Sequence, residues 1–397
     1  MSKKRNAQGA GTIRQRPDGR WEARYTVGRD GGTGKQIQKS VYGKTQKEVL
    51  KKLQQVSVDI DNGVYTEPSK LTVGQWLDIW LDEYTGNLKP HTVTAYKSLC
   101  NTHLKPTMGA IKLTALSTPV IQKTYNALHK GRGNNQPLSA KTIRNLNGVF
   151  HKSMEQAVKI GYIRHNPCNN CTLPKVTRKE ITPLDDTAIK RFISACEGEI
   201  YKTLYITTLF TGMRQGEVLG LRWDNIDFNN GIIYIVQQLQ RKKADIEGEL
   251  PEYYFASLKN NKPRKIMPAP YVMQLLKEHK KHQNIQRLKA GIAWGNGDSI
   301  NNNLVFTDET GQHLKHRTVY NHYKAIVRKL GLENSRFHDL RHSYAVASLQ
   351  NGDDIKTVQE NLGHHTAAFT LDVYGHVTEK MRKKSAENMN LYINSLL

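Results

Sequence analysis

The chain has 397 residues, 38% hydrophobic and 24% charged, which is apolar enough for packed cores and excludes a disordered or collagen-like polymer. At this length two to three domains are expected. Lys and Arg number 59 against 35 Asp and Glu, a formal net charge of +24, and such an excess points to a polyanion as partner. Nucleic acid is preferred over a membrane, because no apolar run approaches ~18 residues. Met1-Ser2-Lys3-Lys4-Arg5 leads into polar sequence rather than the apolar core of a signal peptide, so a cytoplasmic protein is expected. Cys100, Cys168, Cys171 and Cys196 are too few for a disulfide framework and fit a reducing compartment. His165, Cys168 and Cys171 have metal-like spacing. A structural zinc site wants four ligands, though, and no second CxxC or HxxH follows, so a thiol-bearing linker is preferred and no metal is expected.

The first ~55 residues carry 14 Lys and Arg against 4 Asp and Glu and read as a small β module. Thr12 to Arg16 precedes the turn signal Pro17-Asp18-Gly19. Trp21, Ala23, Tyr25 and Val27 then alternate with Arg20, Glu22, Arg24 and Thr26, which predicts one apolar face and one Arg-bearing face. A Gly-rich loop (Gly31, Gly32, Gly34) leads to a third strand near Lys35 to Tyr42, and Thr45 to Ile60 has the period of a helix that would cover the apolar face. A basic three-stranded sheet is able to enter a major groove, and Arg14, Arg16, Arg20 and Arg24 are the expected DNA contacts; the alternative is a solvated basic sheet.

Asn62 to Lys70 reads as a linker. Thr72 then caps a helix with a stripe of Val73, Trp76, Leu77, Trp80, Leu81 and Tyr84, more consistent with core than with a binding platform. Pro90 opens a second helix, a third spans about Thr118 to His129, and Ser139 caps a fourth with Ile143, Leu146, Phe150 and Ala157 on one face. This all-α bundle presents Lys97, Lys141, Arg144 and Lys152, together with Lys105, toward a DNA backbone. Asn166 to Thr182, with Pro167, Pro174 and a basic run, reads as a second linker that would let two globular units sit on opposite sides of a rod. From about 183 onward the pattern is mainly helical, with strand-like interruptions at Ile232 to Gln237, Leu304 to Thr307 and a hairpin around Tyr253 to Pro268.

Three short motifs in the last region are weak separately. Arg214 and Glu217 lie in TGMRQGEVLGLRW (211–223), His338 and Arg341 in HDLRHS (338–343), and His364 in LGHHT (362–366), with Tyr374 ten residues on. In order and spacing the set Arg214, Lys259, His338, Arg341, His364 and Tyr374 resembles the catalytic constellation of the tyrosine recombinases, the lambda-type integrases. The resemblance covers essentially the whole chain and is greatest to integrases of conjugative transposons. It implies an arm-type DNA-binding domain (1–66), a SAM-like core-binding domain (71–165), a linker (166–182) and a mainly α catalytic domain with a small antiparallel sheet (183–397).

The chemistry of these residue types is intelligible by itself. Attack on a phosphodiester builds charge on two non-bridging oxygens, which two Arg forks are able to hold; Arg214 and Arg341 suit that role. A phenol becomes a usable nucleophile when its proton is removed or its anion lies beside cations, and Tyr374 is the residue implied, with Tyr344 and Tyr392 as competitors. A Lys of lowered pKa is able to protonate the departing 5′-oxygen. The family register favours Lys259 over Lys262 and Lys265. Glu217 and Asp339 are expected to orient Arg214 and the His338 helix, and His376 to support. The resemblance further implies a 3′-phosphotyrosyl intermediate, a four-way junction, no cofactor, double-stranded core and arm sites, a homotetramer on DNA with the tail docked in trans, and excisionase and DNA-bending partners. A type IB topoisomerase and a non-catalytic DNA-binding regulator are the rival readings.

Overall fold

The computed structural model of the chain describes residues 12–29, 31–61, 70–131, 136–177, 183–242, 252–258, 262–295, 303–364, 366 and 379–397. The chain divides into two compact units, Met1–Thr177 and Arg178–Leu397.

The first unit begins with an antiparallel sheet of β1 (Thr12–Gln15), β2 (Trp21–Arg29) and β3 (Gln36–Gly43), in the order β1-β2-β3. The alternation of β2 does what its pattern predicts. Ala23 and Tyr25 are buried against Val49 and Leu53 of helix α1 (Gln46–Asp61), with Ile13, Trp21, Val27 and Val41 at the margin. Because α1 covers one face only, the other is left to Arg14, Glu22, Arg24, Ser40 and Tyr42.

A helical bundle follows, of α2 (Val73–Glu83), α3 (Pro90–Leu99), the single turn α4 (Lys105–Met108), α5 (Thr118–Lys130) and α6 (Ala140–Lys159). Thr72 closes a capping box at the start of α2: its Oγ1 accepts from Gln75 N (3.3 Å) and its own N donates to Gln75 Oε1 (3.0 Å). Trp76, Leu77, Trp80 and Leu81 are buried in one core with Ile121, Ile143, Leu146 and Phe150, so the stripe packs inward as expected up to Leu81, while Tyr84 at its end is 40% exposed.

The stretch read as a second linker departs in part from that reading. Thr118 Oγ1 donates to Pro167 O (2.7 Å), Gln122 both donates to Thr172 O (2.9 Å) and accepts from Thr172 N (2.7 Å), and Arg144 Nε donates to Pro174 O (2.9 Å). Residues 167–174 are therefore strapped onto α5 and α6. Prolines end the helical pattern there, but they do not prevent side chains from capturing the freed carbonyls. Cys168 is buried in this strap and Cys171 half-buried.

The second unit contains α7 (Asp186–Ala195), α8 (Lys202–Thr211), α9 (Gln215–Leu219), β4 (Ile226–Asp227), β5 (Ile232–Ile235), β6 (Gln237–Lys242), β7 (Glu252–Ser257), β8 (Arg264–Ile266), α10 (Pro270–Ala290), α11 (His316–Lys329), α12 (Phe337–Asn351), α13 (Ile355–Leu362) and α14 (Glu379–Leu396). Helix α8 is buried nearly all round, and Leu204, Tyr205 and Leu209 share a core with Phe192, Tyr323, Phe337 and Leu340. Its buried Thr208 and Thr211 hydroxyls donate to Leu204 O (2.8 Å) and Thr207 O (2.6 Å), which satisfies them inside the helix.

Two strand expectations are corrected. The segment 253–268 is not a hairpin: β7 pairs with β6, while β8 pairs with β5 in a separate sheet ordered β4-β5-β8. Long-range pairing of this kind leaves no local signal, since alternation reports a face and not a partner. Leu304 to Thr307 forms only the isolated bridges Arg222↔Leu304 and Thr307↔His313. Its strand-like composition reflects the burial of Leu304, Val305 and Phe306. Among the described residues no helix is long and apolar enough to cross a membrane.

Candidate active site

Helix α13 ends at Leu362, and Gly363 follows with φ +63° as a left-handed cap. Such a cap leaves the last carbonyls of a helix pointing off its negative end. Here three successive ones are taken by three arginines. Asn361 O accepts from Arg264 Nε (2.8 Å), Leu362 O from Arg341 Nη2 (2.6 Å) and Gly363 O from Arg214 Nη2 (3.3 Å), and His364 comes next in the chain.

Each guanidinium is delivered by a different element. Arg214 is the residue before α9, Arg264 opens β8, and Arg341 lies in the first turns of α12 with 1% of its surface exposed. Arg341 Nη1 also donates to Gly212 O (2.7 Å). Gly212 caps α8 at φ +64°, and a Cβ there would come within 2.5 Å of the Tyr344 ring and 2.7 Å of Leu362. Both the turn and the close packing require glycine at this position.

Glu217 binds the group from below. With 1% of its side chain exposed, its Oε1 accepts from Arg214 Nη1 (2.7 Å) and Arg264 Nη1 (3.0 Å), and its Oε2 from Arg264 Nη2 (2.6 Å) and Arg214 N (2.9 Å). Burial alone would raise its pKa, but the Arg264 hydrogen bond and the charges of Arg264 and Arg214 outweigh it and hold the carboxyl at about 2. Sequence reasoning paired Glu217 with Arg214 and missed Arg264. The missed signal is its placement: Arg264 stands two residues before buried Ile266 and so shares the inward face of β8, where a cation must find an anion.

The imidazoles lie among these cations. His338, in the first turn of α12, keeps an exposed edge and packs edge-on against His342, ring centroids 4.7 Å apart. Packing of its ring, followed by the charges of His342, Arg341 and Arg214, lowers its pKa. Burial holds His342 at about 4. Burial first, then Arg341 and Arg214, hold His364 at about 3. Near neutral pH these rings are uncharged, and a neutral imidazole carries one acceptor nitrogen for a hydrogen bond. Asp339 fixes the start of α12 by accepting from Arg336 N (2.8 Å) and Arg336 Nη2 (2.8 Å). Lys259, Tyr374 and His376 lie outside the described residues. Among the described residues no group of His, Cys, Asp and Glu is arranged to hold a metal ion.

Residues 183–381 match the model of the phage integrase family, half of the chain, and residues 72–129 match the N-terminal SAM-like domain of phage integrases. The chain belongs to the phage integrase family of tyrosine recombinases. It is 31% identical over 378 residues to a XerC-like tyrosine recombinase of Caldanaerobacter subterraneus subsp. tengcongensis, covering 92% of this chain and 94% of that one. It is 22% identical over 384 residues to the ICEBs1 integrase of Bacillus subtilis, covering 96% and 99%. In fold, the recombinase is similar to the Tn1549 transposon integrase in complex with transposon right end DNA (TM-score 0.66, 20% identity, 81% of this chain and 100% of that one). A lambda integrase tetramer bound to a Holliday junction is similar too (TM-score 0.53, 17% identity, 89% and 96%). The recombinase is thus a site-specific enzyme of DNA strand cleavage and rejoining.

The residues expected to meet DNA are placed on two surfaces of the first unit. Arg14 and Arg24 flank Glu22 on the uncovered face of the recombinase's β-sheet, Arg20 is paired with Asp18 at 2.7 Å, and Arg16 lies 5.5 Å over the Tyr42 ring. On the bundle, Lys97 approaches Asp82 at 3.9 Å, Lys141 is exposed, Arg144 holds the strap, and Lys152 donates to Tyr96 OH (3.0 Å). Arg144 is thus partly committed to structure, which its exposed helical position did not reveal.

Proposed function

We propose that the recombinase integrates and excises a mobile element, of the conjugative-transposon kind, through a 3′-phosphotyrosyl intermediate and a Holliday junction. The observation that carries this reading is the gathering of Arg214, Arg264 and Arg341 on carbonyls 361–363 beside His364, a preorganised cationic site for a phosphodiester in transition. In the proposed reaction Arg214 and Arg341 hold the non-bridging oxygens. Tyr374 attacks phosphorus through its phenolic oxygen and gives up its proton to a neutral imidazole, His338 or His364. The bond from phosphorus to the 5′-oxygen breaks, and Lys259 protonates that oxygen. Glu217 and Asp339 position Arg214 and α12, and His376 supports the nucleophile. Bond energy stays in the phosphotyrosyl ester, so the scheme runs on this chain's residues without ATP or metal.

The proposed organisation is an arm-binding domain at 1–66, a core-binding domain at 71–165 with the strap 167–174 packed on it, a linker over the rest of 166–182 and a catalytic domain from 183 to 397. The proposed assembly is a homotetramer on double-stranded core and arm sites, working in the cytoplasm at the nucleoid, with an excisionase and a DNA-bending protein. Relatives described on DNA and as a tetramer on a Holliday junction support this reading. Covalent trapping tests it. The protein and its Tyr374→Phe variant are incubated in EDTA with nicked duplexes from the ends of the element that encodes the gene, then run on a denaturing gel. A shifted protein–DNA band from the unmodified protein alone is expected; a band from both, or tight binding with no band from either, overturns the role of Tyr374.

A further inference from the structure

On the uncovered face of the N-terminal sheet one acidic side chain stands among the arginines, and it is not solvated. Glu22 is 2% exposed. Its Oε2 accepts from Arg14 Nε (2.8 Å), and its Oε1 from Ser40 Oγ (2.9 Å), Arg24 Nε (3.3 Å) and Tyr42 OH (3.4 Å). The strand register explains the cluster: Arg14 and Tyr42 are the cross-strand partners of Glu22 on β1 and β3, while Arg24 and Ser40 face each other one rung further on the same side. One carboxylate at the centre of three strands therefore fixes two guanidiniums whose side chains remain 58% and 48% exposed.

A carboxylate here weakens attraction to phosphate, so a surface built for backbone contact alone has no use for it. A surface that reads bases does. An Arg fork discriminates guanine only when its plane is held at the right angle in the groove, and binding a fork that is already ordered avoids the loss of its rotamer freedom. We propose that Glu22 is a positioning residue that holds the Arg14 and Arg24 forks for base reading in the major groove of the arm-type site. The inference rests on the reading of residues 1–66 as a second DNA-binding module.

The experiment uses the full-length protein and its Glu22→Gln variant, each equilibrated with a random duplex library whose bound fraction is sequenced. The unmodified protein is expected to enrich two motifs, one for each DNA-binding module. With Glu22→Gln the arm motif should lose about ten-fold discrimination at one or two base pairs, the worth of one well-formed fork contact. The other motif stays intact, and non-specific binding and its salt slope stay the same or rise. Arg24→Lys, which keeps the charge and removes the fork, should degrade the same motif columns. An arm motif unchanged in both variants overturns the positioning role. A single motif from the unmodified protein overturns the two-module reading instead. If Glu22→Gln simply unfolds the sheet, the arm motif vanishes altogether, and retention of that motif by Arg24→Lys then refutes the inference.

Discussion

Replacing Glu217 by Gln keeps the shape of the side chain and removes its charge, leaving Arg214 and Arg264 beside a neutral amide that is able to accept at one oxygen only. The carboxyl is held at about 2 against an ordinary 4.5, a difference worth about 3 kcal/mol of folding stability at neutral pH. Removal of one partner from a buried pair generally costs about 3–5 kcal/mol, so the two routes agree. For a unit of this size that corresponds to a fall of about 6–12 °C in Tm. Because the folded pKa is depressed, the contribution is fully present above pH 4.5 and is lost as pH falls toward about 2. The gap in Tm between parent and variant should therefore be constant from pH 8 to 5 and close below. Thermal unfolding of both proteins across that range measures it. A gap under 1 °C at pH 7, or one that does not narrow in acid, would refute the clamp.

Gly212→Ala forces a Cβ into the Tyr344 ring at a left-handed backbone position and should lower stability by about 2–4 kcal/mol, with DNA cleavage falling further than DNA binding in paired gel and binding assays. Arg341→Lys cannot span both Gly212 O and Leu362 O, and the rate of covalent-complex formation should drop at least about 100-fold, as read by quenched time courses. His342 and His364 are held below 6.5, at about 4 and about 3, so the unfolded chain binds more protons in acid; Tm should be flat above pH 7 and decline as pH falls from 6.5, less steeply in His342→Asn. Met389, Tyr392, Ile393 and Leu396 are exposed along one face of α14. Deletion of 386–397 should weaken assembly on DNA while sparing binding by one subunit, and unchanged complex size in sedimentation would count against a tail that docks in trans.

The sequence disclosed most where function and local geometry coincide. The alternation of Trp21, Ala23 and Tyr25 predicted the covered face of the first sheet, and Thr72 and Ser139 marked helix starts. Elements defined by distant partners were illegible. Arg264 meets Glu217 across 47 residues, β8 leaves β7 to pair with β5, and residues 167–174 look like a tether until Gln122 and Arg144 are seen to hold them. Glu22 is the mixed case: its period placed it on the arginine face, but only the register on both sides shows why it is buried there.

The three arginines of the candidate active site are held at the end of α13 by main-chain oxygens. A carbonyl is supplied by every residue type, so side chains 361 and 362 are free to answer to packing without altering the charges they anchor. The strict demands fall on the turn instead, on Gly363 with its left-handed backbone and on the Arg264 side chain 3.1 Å from where its Cβ would be. Substitution libraries over this segment should show acceptance of other apolar residues of suitable bulk at buried Leu362, of residues able to reach Tyr344 OH at Asn361, and near-invariance at Gly363. The candidate histidine His364 would then depend for its position as much on the glycine before it.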